Sequence, residues 1–416
     1  MHVAAKSYRG KVTRRMASLR GQAIIEYVLV TAIIGLVVIF AGPQVSGAIR
    51  NQLGQVAETV DDGSVGENFY DATELPDPEY GTAFAVYSED DHSLMFYKRR
   101  GTPQVGEIFN DRRATEVYTG FEAMRYAVET TEDKTANDWT CKTLPWWKHR
   151  EEIKTVKVID NGIAPKSIDG WFLRMPNLTT ADLEKLDCSA TSARCAFLRC
   201  PSLASLKTPS QFRPTRIDDF VYGCTVLNDI DTSNWDMSAC DTIAWSFSGC
   251  EKLETITGIE TWNTSSVRQM PGAFAGCLNL ASLDVSHFDT SRVVDMELMF
   301  SGCSSLTALD LGSFSTNSVM DMSGMFSNCA SLSVIDLKAF DMQNVKDMSM
   351  MFNGCIALRT IALRNPNVAN ATDMNCMFYG CSNLALDCSN WNVRPDAHRD
   401  RFNFAAPSVT MPRAWQ

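Results

Sequence analysis

Histidine is scarce in this chain of 416 residues. The five present (His2, His92, His149, His287 and His398) share no spacing with a nucleophile or a metal-binding partner. No Gly-x-Ser-x-Gly elbow, His-Glu-x-x-His run or glycine-rich phosphate loop occurs, so the usual carriers of acyl transfer, zinc hydrolysis and phosphate binding are missing. The fourteen cysteines contain no Cys-x-x-Cys pair, which argues against a structural zinc site. Basic residues fall well short of acidic ones, 38 against 49 for a net charge of −11. An acidic chain is a poor match for nucleic acid or an anionic membrane surface. These absences predict a protein that is not an enzyme, with no cofactor and no metal. At 45% hydrophobic residues, the chain still has enough apolar material for a substantial core and is not a disordered polymer.

What the chain has instead is a period. Met299-Phe300-Ser301-Gly302-Cys303 returns as Met325-Phe326-Ser327-Asn328-Cys329, Met351-Phe352-Asn353-Gly354-Cys355 and Met377-Phe378-Tyr379-Gly380-Cys381. One slot holds Cys200, Cys224, Cys250, Cys277, Cys303, Cys329, Cys355 and Cys381, the last four steps being 26 residues each. Self-similarity at this length predicts a solenoid, whose units bury their apolar faces only by stacking. Within each unit Leu306-x-x-Leu309-x-Leu311-x-x-Phe314 predicts a short strand pointing alternate side chains inward. Asp321-Met322-Ser323-Gly324-Met325-Phe326 reads as an acid-started helical turn on the far side. The regular cysteine slot predicts buried packing residues and not disulfides. The aligned acids Asp295, Asp321, Asp347 and Asp373 read as backbone caps more readily than as calcium ligands, and the stripe Trp235, Trp262, Phe288, Phe314 and Phe340 as core.

These repeats resemble the BspA-like leucine-rich repeats of bacterial surface proteins, in the variant D-M-S-x-M-F-x-x-C-x-x-L-x-x-L-D-L-S-x-F-D-T-S-x-V. Asp321 to Cys329 and Phe288-Asp289-Thr290-Ser291-Arg292-Val293 carry the match. The resemblance covers roughly 166–395 and implies a surface-exposed, ligand-binding role with an unidentified extracellular protein or glycan as partner.

The front of the chain differs. Residues 1–21 hold Lys6, Arg9, Lys11, Arg14, Arg15 and Arg20 and no acid, and the apolar run Ala23 to Ala41 is broken by one charge, Glu26. Nineteen helical residues reach about 28 Å, near the hydrocarbon thickness of a bilayer. The basic flank predicts a cytoplasmic N-terminus and extracellular repeats. Arg20-Gly21-Gln22-Ala23-Ile24-Ile25-Glu26-Tyr27 resembles the processing site of Flp-type (type IVb) pilins. That resemblance implies cleavage by a prepilin peptidase between Gly21 and Gln22, with Glu26 pairing to the N-terminal amine of a neighbouring pilin subunit beside Tyr27; Gln22 departs from the small residue usual there. Cleavage would leave 32 basic residues against 49 acidic ones, a net −17.

The predicted fold is an α/β repeat solenoid, leucine-rich-repeat-like, with one short strand per turn of about 26 residues. A small β-rich capping region precedes it, in which Ala83-Phe84-Ala85-Val86-Tyr87 and Ser93-Leu94-Met95-Phe96-Tyr97 flank Glu89-Asp90-Asp91-His92 as a hairpin, and before that a single N-terminal transmembrane or pilin-like helix. The expected boundaries are a basic leader over 1–21, the helix over 22–60, a linker over 61–82, the cap over 83–165, the solenoid over 166–395 and a C-terminal cap over 396–416. The expected function is a cell-surface adhesion protein, carried as a minor pilin or pilus-associated adhesin. The alternative is an uncleaved membrane-anchored envelope protein without a pilus. On the strand face, assumed concave, exposed residues change between turns while inward ones repeat, which marks Thr307, Asp310, Ser333, Asp336 and Arg359 as candidate binding residues.

Overall fold

The computed structural model describes residues 81–124, 141–364 and 366–416, all within one compact unit, Pro76–Gln416. The leader, the predicted transmembrane helix and the pilin-like residues Gly21, Gln22, Glu26 and Tyr27 lie outside the described residues. Among those described, no helix is long and apolar enough to cross a membrane.

The repeats form a β-solenoid and not the α/β form expected. No α-helix occurs among the described residues, only strands, single 3-10 turns and bends. The segment read as a helical turn fails to be one because its backbone enters the left-handed region at every fourth residue: Gly324 at φ 58° and Asn328 at 58°, Met350 at 56° and Gly354 at 73°. A left-handed residue ends a right-handed helix. Here two per coil split the hydrogen bonds into alternating sets. Met296, Leu298, Phe300 and Gly302 donate to the carbonyls of Asp321, Ser323, Met325 and Ser327 in the next coil. The N–H groups between them turn inward, Met299 to Met296 O and Cys303 to Phe300 O. The result is a one-way ladder, and its first left-handed slot recurs ten times, from Gly170 to Arg401.

The strand side is also less regular than predicted. Strands Thr180–Asp182, Ser205–Lys207, Asp229–Asp231, Thr255–Thr257, Val334–Asp336 and Thr360–Ala362 are present, with one buried residue flanked by two that point outward. The coils around Leu283 and Leu309 carry none. Lateral bonding weakens there, with Thr307 N 3.5 Å from Ala281 O.

Three corners shape each coil, and aspartate sets most of them. In one coil Asp284, Asp289 and Asp295 accept the N–H of Ser286, Ser291 and Glu297 at 3.1, 2.9 and 2.9 Å. Two coils on, Asp336, Asp341 and Asp347 accept from Lys338, Gln343 and Ser349 at 2.9, 2.9 and 2.8 Å. A carboxylate that takes the N–H two residues ahead fixes a turn locally. Much of the chain's acidity is therefore corner chemistry.

Inside, like stacks on like. Phe247, Phe274, Phe300, Phe326, Phe352 and Phe378 form a near-parallel column with ring centroids 5.4–5.8 Å apart. Trp235, Trp262, Phe288 and Phe314 form a second buried column, with Phe340 packed at its end. None of the fourteen cysteines is in a disulfide, and all but the half-exposed Cys376 are buried. The ladder thiols are not purely apolar fillers: Cys303, Cys329, Cys355 and Cys381 donate to Phe274, Phe300, Phe326 and Phe352 O at 3.1, 3.1, 3.0 and 3.0 Å.

Both ends of the stack are dressed. Strands Thr82–Ser88 and Ser93–Arg99 pair antiparallel across the Glu89–His92 turn, as their sequence predicts. Ser93–Arg99 then runs parallel to Thr155–Val158, extending the sheet into the first coils. Phe96 stacks on Trp171 at 5.6 Å, and Trp146 Nε1 donates to Trp171 O at 2.7 Å. At the far end Phe402 packs edge-on against Phe378, with Trp415 closing over it.

Candidate functional site

The structure places Thr307, Asp310, Asp336 and Arg359 outward on the strand side and leaves Ser333 half-buried. Asp310 and Asp336 occupy the same slot in neighbouring coils and face a shallow groove of about 580 Å³. Each has a local task as well: Asp310 Oδ1 accepts the Gly312 N–H at 3.0 Å, and Asp336 repeats this with Lys338. That backbone bond, with the ammonium of Lys338 3.2 Å from Oδ2, holds the Asp336 carboxyl below the usual carboxylate range. The ion pair is exposed on both sides and adds little to stability.

The groove also contains residues that the sequence reading passed over. Lys338 and Arg364 line it with Ala339 and Gly312, and Val334 stands 53% exposed in a strand beside it. Lys338 and Arg364 occupy the position two residues after the corner slot, where Gly312 sits one coil earlier. Their signal was positional: a slot that the repeat leaves free, filled by two cations in an acidic chain. Thr307 and Arg359 are exposed in their own coils but do not line the groove.

The acid column Asp295, Asp321, Asp347 and Asp373 is joined coil to coil by single parallel bridges. Each carboxylate accepts the N–H two residues ahead, at 2.8–2.9 Å. Burial, with the charge of Asp321 nearby, pushes the Asp295 carboxyl up. Burial also raises Glu297, which feels Asp321, Asp295 and Asp347. Among the described residues no group of three or more His, Cys, Asp or Glu side chains could hold a metal ion.

A second polar cluster lies on the turn side of the early coils. Asp218 is bridged by Arg194 and Arg216, both at 2.9 Å. The Asp219 carboxylate beside it accepts from the Cys195 thiol at 3.8 Å. Burial and the neighbouring Asp218 charge push the Asp219 carboxyl up to about 6.

Set against known proteins, the repeats match the family described as Mycoplasma protein of unknown function, DUF285, over residues 215–333 and 306–411. No curated protein matches the chain. Solved structures similar to it include a leucine-rich repeat protein from Bacteroides ovatus, at 14% identity over 82% of this chain and 83% of that one, with a TM-score of 0.40. Another is a leucine-rich repeat protein from Eubacterium ventriosum, at 14% identity over 80% and 95%, TM-score 0.33. A third is a leucine rich cell surface protein from Faecalibacterium prausnitzii, at 13% identity over 75% and 94%, TM-score 0.30.

Proposed function

We propose that the chain is a binding protein of the bacterial cell surface, which holds its solenoid outside the cell and adheres through the strand side. The observation that carries this reading is the contrast between inside and outside. Inward slots repeat their residues coil after coil. The outward slots of three successive coils read Thr307-Ala308-Asp310, Ser333-Val334-Asp336 and Arg359-Thr360-Ala362. A surface that changes along a constant scaffold recognises partners across several repeats. Its groove mixes Asp310 and Asp336 with Lys338 and Arg364, which suits a protein or glycan with polar groups of both signs. The test is capture of the full chain on protein and glycan arrays, compared with the double variant Lys338→Glu, Arg364→Glu. The reading expects loss of captured ligands with an unchanged melting curve; full capture by the variant would remove this face from consideration.

We further propose that a pilin-like N-terminus presents the solenoid, as a minor pilin or pilus-associated adhesin. Its support is the run Gly21-Gln22-Ala23-Ile24-Ile25-Glu26-Tyr27 at the head of an apolar stretch, since an acid within such a stretch is expensive and usually functional. Sequencing the N-terminus of the native protein tests it. A Gln22 start in sheared filaments supports the pilus, and an intact leader confined to membranes supports the uncleaved anchor.

A further inference from the structure

The one-way ladder has a consequence at its C-terminal end. In each inner coil four alternate N–H groups point to the next coil: Met374, Cys376, Phe378 and Gly380 donate to the carbonyls of His398, Asp400, Phe402 and Phe404. The corresponding donors of the last coil are the N–H groups of Arg399, Arg401, Asn403 and Ala405, and none of these has a hydrogen-bond partner among the described residues. The last coil otherwise keeps the inner pattern. Its left-handed residues are Arg401 at φ 56° and Ala405 at 58°, and Phe402, Phe404 and Ala406 donate back to Arg399, Arg401 and Asn403. Among the described residues the stack therefore ends on an edge of four donors with no acceptor between them, although Phe402 and Trp415 cover its core. Beside this edge Phe404 stands 58% exposed, its ring stacked on Tyr379 at 5.4 Å.

We infer that this edge is a docking site for a polypeptide segment of another protein, which lies down as an additional coil and presents alternate carbonyl oxygens to Arg399, Arg401, Asn403 and Ala405. An open ladder edge is a template for chain pairing, with main-chain bonds supplying affinity and exposed side chains supplying choice. A second copy of this chain is a poor occupant. Two such edges face to face set donor against donor. At the acceptor end of the stack Ser167, Trp171 and Leu173 are buried beneath the N-terminal strands and loops, and the Trp171 carbonyl takes the Trp146 indole N–H. The exposed Phe404 beside the donors fits an apolar side chain of a peptide better than it fits a small anion. This edge is separate from the strand-side groove.

The test uses the full chain and a synthetic peptide of residues 295–306. In its own coil this segment offers the carbonyls of Asp295, Glu297, Met299 and Ser301 to Met270, Gly272, Phe274 and Gly276. Amide hydrogen exchange is read with and without peptide at about 1 mM. The expected result is slowing on the order of tenfold or more at Arg399, Arg401, Asn403 and Ala405, with saturable binding that Phe404→Ala weakens. Replacing the peptide's Glu297–Leu298 and Met299–Phe300 amides by esters, whose carbonyls accept hydrogen bonds poorly, should weaken binding on the order of tenfold. Four results overturn the inference. These are no saturable binding at that concentration, equal binding by the ester analogue, protection of the four amides before any peptide is added, and equal protection by inorganic phosphate, which would make the edge an anion site.

Discussion

Trp245 lies so closely over Gly272 that a Cβ on the glycine would fall 2.1 Å from the indole Cε3. Both residues sit in the first left-handed slot of their coils, at φ 56°. The next two coils repeat the relationship, with a Cβ on Gly324 meeting Leu298 Cδ2 at 2.4 Å. The slot thus alternates bulk with its absence from Trp245 to Gly324, with Trp245 and Leu298 each covering the bare backbone one coil on.

Gly272→Ala should therefore cost more than a left-handed alanine alone. The reference is Gly276→Ala, where φ is 72° and the new Cβ would meet only Gly249 atoms at 3.5 Å, so that about 1 kcal/mol is expected. Gly272→Ala adds the clash and should cost about 3 kcal/mol. Denaturant unfolding of the double variant Trp245→Ala, Gly272→Ala should recover part of that loss. Strict additivity would mean that the indole and the glycine do not constrain each other.

The cysteine ladder makes a different demand. Cys303 is buried, donates to Phe274 O at 3.1 Å, and burial pushes its thiol up to about 12. Cys303→Ala should cost about 1–2 kcal/mol through lost packing and a lost weak bond, and the wild-type melting temperature should not respond to reductant. In the native state a thiol reagent should label Cys376 first. Rapid labelling of several cysteines at neutral pH, or a fall in melting temperature with reductant, would mean that the thiols are accessible or paired.

The period was legible because Cys, Phe, Met and Leu each stack on their own kind, so a 26-residue spacing in the chain becomes contact in space. The hairpin over 82–99 was legible for a similar reason, with two apolar runs flanking a polar turn. The secondary structure of Asp321–Phe326 was not. An acid followed by Met, Ser and Met is what a helix start looks like, and the left-handed residues that forbid a helix are often not glycine, as Leu298, Asn328, Met350 and Cys376 show. The lining of the groove was half legible: Asp310 and Asp336, singled out for their variable neighbourhood, border it. Their corner bonds, and the cations Lys338 and Arg364, needed the fold to set neighbouring coils side by side.

Asp219 makes the solenoid's stability depend on pH in a direction opposite to Asp231, Asp236 and Asp289. Serine hydrogen bonds hold Asp231, Asp236 and Asp289 below the usual carboxylate range. Such groups add stability above their unfolded pKa and lose it as pH falls through the folded one. Asp219, raised from the ordinary 3.8 to about 6, keeps its proton longer when folded. Its contribution is fully present below 3.8 and is lost as pH rises through about 6. Asp219→Asn, which tolerates the left-handed backbone, should then be more stable than wild type at neutral pH by about 2 kcal/mol. The gain should vanish near pH 4. Equal stability of the two proteins at neutral pH would show that the carboxylate is solvated or paired.

The corner aspartates separate a structural role from charge. Asp321 accepts the Ser323 N–H at 2.8 Å and the Ser323 hydroxyl at 2.7 Å, and it lies between Asp295 and Asp347 in the bridge column. Asparagine keeps an acceptor oxygen in the same place and removes one charge from a column of like charges. Alanine removes the acceptor and leaves the backbone N–H of a tight turn without its partner. Asp321→Ala should cost about 1 kcal/mol, while Asp321→Asn should be neutral or slightly stabilising at low ionic strength, with the difference shrinking as salt is added. Thermal melts of both variants at two salt concentrations decide the matter. If asparagine destabilises as much as alanine, the column depends on its charge and a cation must lie along it; if it does not, the column is a row of turn-setting caps.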